Sequence, residues 1–180
     1  MGLVAYSDAD WAGCLDTKRS ISGYSIFLGN NVVSWSAKKQ PTVSRSSCES
    51  EYRALALTAA EVLWLTHLLR DLRVTLTHRP LLLCDNKSAI FLSSNPVFHK
   101  RAKHIDLDYH FLYELVVAGT LCLQHVLPHL QLADIFTKSV SRDLDVFFRS
   151  KLRVCVNPTL SLWGAVENSS KSVIDLRNPP

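Results

Sequence analysis

Apolar and polar positions change period several times along the 180-residue chain, and each change predicts an element. Leu3-Val4-Ala5-Tyr6 is a short apolar run that reads as the end of a strand. It leads into Ser7-Asp8-Ala9-Asp10-Trp11-Ala12-Gly13, so two carboxylates are expected where a strand gives way to a turn. Gly23 to Gly29 alternates and is rich in β-formers. Asn30-Asn31 then makes a turn before Val32-Val33-Ser34-Trp35-Ser36, which completes a hairpin. Three antiparallel strands should therefore open the fold, the third closed by Lys38-Lys39-Gln40-Pro41.

Ser46-Ser47-Cys48-Glu49 has the spacing of a capping box and starts a long helix that should run to about Leu72. At 100° per residue, Leu55, Thr58, Val62, Leu65 and Leu69 fall within about 40° of Glu51. Glu49 falls about 160° away, beside Arg53, His67 and Asp71, and is expected to face solvent. A carboxylate on the buried stripe needs a reason beyond the helix dipole, which accounts for Glu49 but not for Glu51. Leu81 to Asp85 reads as a central strand buried on both faces and ending in an acid. Asn86 opens a short helix, Asn95-Pro96 breaks the chain, and 105–118 is helical with Gly119 as its C-cap. Leu121 to Val126 is a fifth strand. Leu132 to Lys138 is a helix with Asp134 in its first turn, and Ser141 to Leu152 is a further amphipathic helix.

This order predicts an α/β domain over residues 1–152 with a mixed five-stranded sheet flanked by helices. Residues 153–180 form a C-terminal extension, expected to be a mobile tail beyond about 167. The long helix is a crossover that would set the first and fourth strands side by side in parallel. Asp8 and Asp85 would then be neighbours, with Glu51 in reach above them. Clustered carboxylates repel unless cations intervene, and oxygen-only ligands suit Mg²⁺ or Mn²⁺.

Composition changes this picture little. The charge of +4 permits an anionic partner such as nucleic acid without demanding one. Five scattered cysteines make no C-x-x-C pair, which argues against a zinc ribbon and for reduced thiols inside the cell. No apolar run reaches the ~20 residues of a membrane span, and there is no signal-peptide pattern. The brief lead-in before Asp8 suggests a piece of a longer polypeptide.

The motifs carry a more specific likeness. Tyr6 to Gly13, Ile21-Ser22-Gly23-Tyr24 and Ser34 to Pro41 resemble the ribonuclease H domain of copia-type LTR retrotransposon Pol polyproteins. So do Ser46 to Leu55, Cys84 to Ala89, Lys103 to Asp106 with His110-Phe111, and Gln131 to Lys138. The resemblance spans roughly residues 3 to 166, while Cys48, Ser50, Leu112-Tyr113, Val126-Leu127-Pro128 and Ser139 depart from the family pattern. It implies a ribonuclease H-like fold and a metal-dependent endonuclease that hydrolyses the RNA strand of RNA–DNA hybrids. The implied catalytic and metal-binding acids are Asp8, Glu51, Asp85 and Asp134. Two Mg²⁺ (or Mn²⁺) ions would be shared, Asp8 bridging both, Glu51 and Asp85 completing one site and Asp134 the other. The implied partners are the hybrid and a reverse transcriptase domain N-terminal in the same polyprotein, in a cytoplasmic particle or the nucleus.

Other residues stay open. Asp10 is either a metal contact through water or a turn residue. His129 is either a proton shuttle or a plain loop histidine. Lys38, Lys39, Arg45, Asn86, Lys87, Lys100, Arg101 and Lys103 are candidate nucleic-acid contacts. His104, Asp106, Asp108 and His110 read as helix-surface groups rather than a zinc set. The tryptophans read as packing residues. The alternative function is a non-catalytic nucleic-acid-binding or tethering remnant that keeps the fold; a DNA-cutting nuclease of the same fold is a third.

Overall fold

The computed structural model describes residues 1–95 and 106–153. Lys100, Arg101, Lys103 and His104 lie outside these, as does the extension from 154 onward with Trp163. The elements are β1 (Leu3–Asp10), β2 (Ile21–Leu28), β3 (Asn31–Lys39), α1 (Ser47–Asp71), β4 (Leu81–Cys84), α2 (Lys87–Ser94), α3 (Asp106–Val117), β5 (Cys122–His125), α4 (Asp134–Thr137) and α5 (Arg142–Lys151). The sheet order is β3-β2-β1-β4-β5. The first three strands are antiparallel; β1–β4 and β4–β5 are parallel. This is the mixed five-stranded sheet the hydrophobic pattern predicts.

The strand ends differ from expectation in two places. β1 does not stop at Tyr6 but runs to Asp10, paired residue by residue with β2 from Leu3↔Leu28 to Asp10↔Ile21. The ladder to β2 overrides the poor strand preference of Asp, so Asp8 sits inside a strand and not in a turn. β4 is not evenly buried: Leu82 and Cys84 are covered while Leu81 and Leu83 are half-covered. It ends one residue before Asp85, which lies in the connection to α2.

α1 covers one face of the sheet. It starts as the capping box predicts, with Ser46 Oγ accepting from Glu49 N at 3.1 Å. The stripe of Glu51, Leu55, Thr58, Val62, Leu65 and Leu69 is buried as the wheel predicts. Thr58 Oγ1 lies 3.0 Å from Ser7 Oγ, tying the middle of α1 to β1 beside Asp8. Glu49, however, does not face solvent and is only 6% exposed. Its carboxylate accepts from Arg45 N at 3.0 Å and pairs with Arg53 at 3.0 Å. A helical wheel has no term for the loop that folds back over the first turn.

The opposite face carries α4, α5 and a second apolar cluster around Phe27, Leu132 and Phe148. α4 is shorter than predicted: a 3₁₀ turn (Pro128–Leu130) precedes it and the helix begins at Asp134. Gln131 links the two parts. Its buried side-chain amide donates to Ser7 O at 3.0 Å, and its carbonyl accepts from Ala133 N at 3.3 Å. Gly23 lets α4 sit this close. A Cβ there would lie 2.6 Å from Thr137 Cγ2 and 2.9 Å from Phe136 Cβ. Gly23 is also the residue paired with Asp8 across the β1–β2 ladder.

Candidate active site

Four separate elements deliver the acids. Asp8 comes from the middle of the sheet and is 1% exposed. The β1–β4 register ends at Tyr6↔Leu83, and two more residues on each strand bring Asp8 level with Asp85. The first residue of α4 adds Asp134 from the other face. Asp8, Asp85 and Asp134 each offer a carboxylate oxygen, and these three oxygens lie within 4.8 Å of one another. Glu51 adjoins this group from α1, sharing a second cluster of the same size with Cys84 and Asp85.

The electrostatics are those of crowded, half-dry carboxylates. Burial, then Asp8 and Asp85, push Glu51 up to about 9. Burial and Asp8 also raise Asp85, against Lys138 and a Gln131 hydrogen bond. Asp134 is raised to about 6, chiefly by burial, while Lys138 pulls it the other way. Asp8 accepts a hydrogen bond from Thr137 Oγ1. Lys138 Nζ lies 2.9 Å from Asp134 Oδ1 and 3.7 Å from Asp8 Oδ2. Burial lowers that ammonium's pKa, but Asp8, Asp134 and Asp85 outweigh it and the net shift is upward.

The donors fit a hard divalent cation. Burial and the neighbouring acids raise the Cys84 thiol well beyond its usual range, so it stays neutral and the anionic donors are oxygens alone. A divalent ion would offset the burial and the repulsion from Asp8 and Asp85 that push Glu51 up to about 9.

No protein-family model matches the chain. It is 49% identical over 158 residues to the retrovirus-related Pol polyprotein from transposon RE2 of Arabidopsis thaliana, covering 88% of this chain and 11% of that protein. It is equally similar, 49% over 154 residues, to the corresponding polyprotein from transposon RE1 of the same plant, covering 86% of this chain and 10% of that protein. The chain thus spans about a tenth of the length of these relatives. Among solved structures, it resembles LC11-RNase H1 isolated from compost, with a TM-score of 0.57 at 14% identity over 76% of this chain and 92% of that one. The N-terminal RNase H domain of a Mycobacterium tuberculosis protein gives a TM-score of 0.52 at 15% identity, covering 83% of this chain and 96% of that one. Its relatives are thus retrovirus-related Pol polyproteins of transposons. Its fold is that of ribonuclease H.

On this ribonuclease H fold the remaining candidates separate. Asp10 is turned toward Gly13, where a Cβ would fall 2.1 Å from its Oδ2, and its backbone carbonyl accepts from Gly13 N at 3.2 Å. Asp10 is not among the clustered acids. His129 is exposed in the 3₁₀ turn. Lys38, Lys39, Arg45 and Lys87 are exposed, and Asn86 caps α2 next to Asp85 by accepting from Ala89 N at 3.0 Å. The tryptophans are corrected: Trp35 is 64% exposed on the edge strand β3, Trp64 lies on the outer side of α1, and Trp11 is half exposed with its indole N–H donating to Ser44 O. Gln131, Thr137 and Lys138 join the site beyond the four acids. Their signal in the sequence is that all three fall in the Gln131 to Lys138 motif around Asp134.

Proposed function

We propose that this chain is a metal-dependent endonuclease that hydrolyses the RNA strand of RNA–DNA hybrids. One observation carries the reading: the carboxylate oxygens of Asp8, Asp85 and Asp134 converge within 4.8 Å from three different elements. Relatives named as transposon Pol polyproteins and solved neighbours named as RNase H support it. Asp8, Glu51, Asp85 and Asp134 would hold two Mg²⁺ or Mn²⁺ ions, which supply water activation and stabilisation of the leaving oxygen.

The chain's own residues do the rest. Thr137 and Gln131 hold Asp8 and Asp85 in place through the hydrogen bonds described above. Bound cations would favour the charged form of Glu51, which burial and then Asp8 and Asp85 disfavour without them. Asn86 and Lys87, next in sequence to Asp85, and the exposed Lys38, Lys39 and Arg45 would contact phosphates and ribose hydroxyls of the hybrid. The reverse transcriptase domain would precede this domain in a longer polyprotein.

The test is cleavage of an end-labelled hybrid with Mg²⁺ or Mn²⁺. The wild type should cut the RNA strand, and Asp8→Asn should lose at least about 100-fold in rate. Absence of cutting by the wild type, or equal cutting by Asp8→Asn, rejects the proposal. Cutting of a DNA-only duplex instead would assign a different nuclease activity to the same fold.

A further inference from the structure

Lys138 has a place in this site that the four-carboxylate scheme does not explain. It is the extended residue that caps the C-terminus of α4, four residues after Asp134, and its ammonium lies 2.9 Å from that acid. The same ammonium also reaches 3.7 Å from Asp8 Oδ2, which already accepts from Thr137. One positive charge thus sits between two of the three acids whose oxygens converge. Glu51 and Asp85 face the same charge from α1 and from the end of β4, and both feel it. The side chain is 41% exposed, so it has a solvent route out of the cluster.

We propose that Lys138 is an internal cation that keeps the acid cluster assembled in the metal-free protein and leaves it when a divalent ion enters between Asp8 and Asp134. The inference rests on the two-metal reading above. The physical reason is competition: an ammonium and a divalent ion need the same carboxylate oxygens and repel each other. A lysine can yield because its charge rides on a flexible four-carbon stem. Lys138 is therefore a positioning residue with two opposed effects. It reduces repulsion among the acids before metal arrives, and it weakens binding at the Asp134 side of the site.

Calorimetric titration of the whole chain with Mn²⁺, without substrate, separates the possibilities. Lys138→Met should bind Mn²⁺ about tenfold more tightly at the weaker of the two sites. Lys138→Arg, which keeps the charge, should stay near wild type. Melting in chelator at pH 8 gives a second readout: Lys138→Met should melt lower than wild type, and Mn²⁺ should raise its Tm by more. Equal or weaker Mn²⁺ binding by Lys138→Met, with wild-type binding still lost in Asp8→Asn, overturns this proposal and leaves the two-metal reading standing. Wild-type binding unaffected by Asp8→Asn overturns that reading, and this proposal with it.

Discussion

Glu49 and Glu51 are two residues apart, both buried, and electrostatically opposite. Glu49 has Arg53 and the Arg45 backbone N–H as partners, so its charge is compensated. Glu51 faces Asp8 and Asp85, and burial with their repulsion pushes it up to about 9. A raised carboxyl pKa means the folded state holds the proton more tightly than the unfolded chain. Its stabilising effect is full below the ordinary value of 4.5 and is lost as pH rises through about 9. Asp134 adds the same trend up to about 6. In chelator, Tm should therefore fall as pH rises from about 4.5 to about 9, and Mg²⁺ should restore it. Glu51→Gln removes the titrating group, so its metal-free Tm should change less over that range and exceed wild type at pH 8. Thermal melts across pH check this; a wild-type curve that rises with pH rejects it. The helical wheel picked Glu51 from the sequence. The i, i+4 pair of Glu49 with Arg53 is legible there too, but the burial of Glu49 under the loop that carries Arg45 is not.

At the scale of elements, the site depends on how closely α4 approaches the sheet. The hydrophobic pattern shows that a helix lies near Asp134 but not which strand it meets. Gly23 on β2 decides that, since any side chain there would collide with Thr137 and Phe136. Gly23→Ala should cost about 1–3 kcal/mol of stability. It should also move Asp134 and Lys138 away from Asp8, lowering the cleavage rate by about 100-fold if the shift approaches 1 Å. Denaturant melts and single-turnover cleavage measure both quantities. Gly23→Ala with wild-type stability and rate would show that α4 is not held by this contact. The strand β1 makes a related point. Its last four residues, Ser7-Asp8-Ala9-Asp10, lack the β-branched and aromatic side chains that favour strands and look like a turn in isolation. The ladder to β2 keeps them extended.

For the molecule as a whole, the acids lie where the parallel pair β1–β4 ends, between the face covered by α1 and the face covered by α4 and α5. Lys38, Lys39 and Arg45 lie at the end of β3 and in the loop before α1. With a net charge of only +4, hybrid binding should depend on salt moderately. Three or four phosphate contacts would lose roughly 40–150-fold in affinity between about 50 and 200 mM salt. Replacing Lys38 and Lys39 together with Ala should shrink that dependence and raise KM while leaving kcat near wild type. A salt titration of hybrid binding, paired with steady-state cleavage, checks both parts. An unchanged salt dependence would remove these lysines from the interface. Among the described residues, no helix is long and apolar enough to cross a membrane.

The element order, the long amphipathic helix with Glu51 on its buried stripe, and the motif set that marks Asp8, Asp85 and Asp134 are all legible in the linear chain. These are properties of period and local spacing, which a linear chain carries in full. Only the folded chain settles that Asp8 stays inside a strand, that the loop carrying Arg45 buries Glu49, that Gly23 admits α4, and that Lys138 enters the acid cluster. Each of these is a contact the chain makes only once folded, or a charge balance within a shared volume. Neither exists until the sheet brings β1, β2 and β4 together and the two helical faces close over their ends.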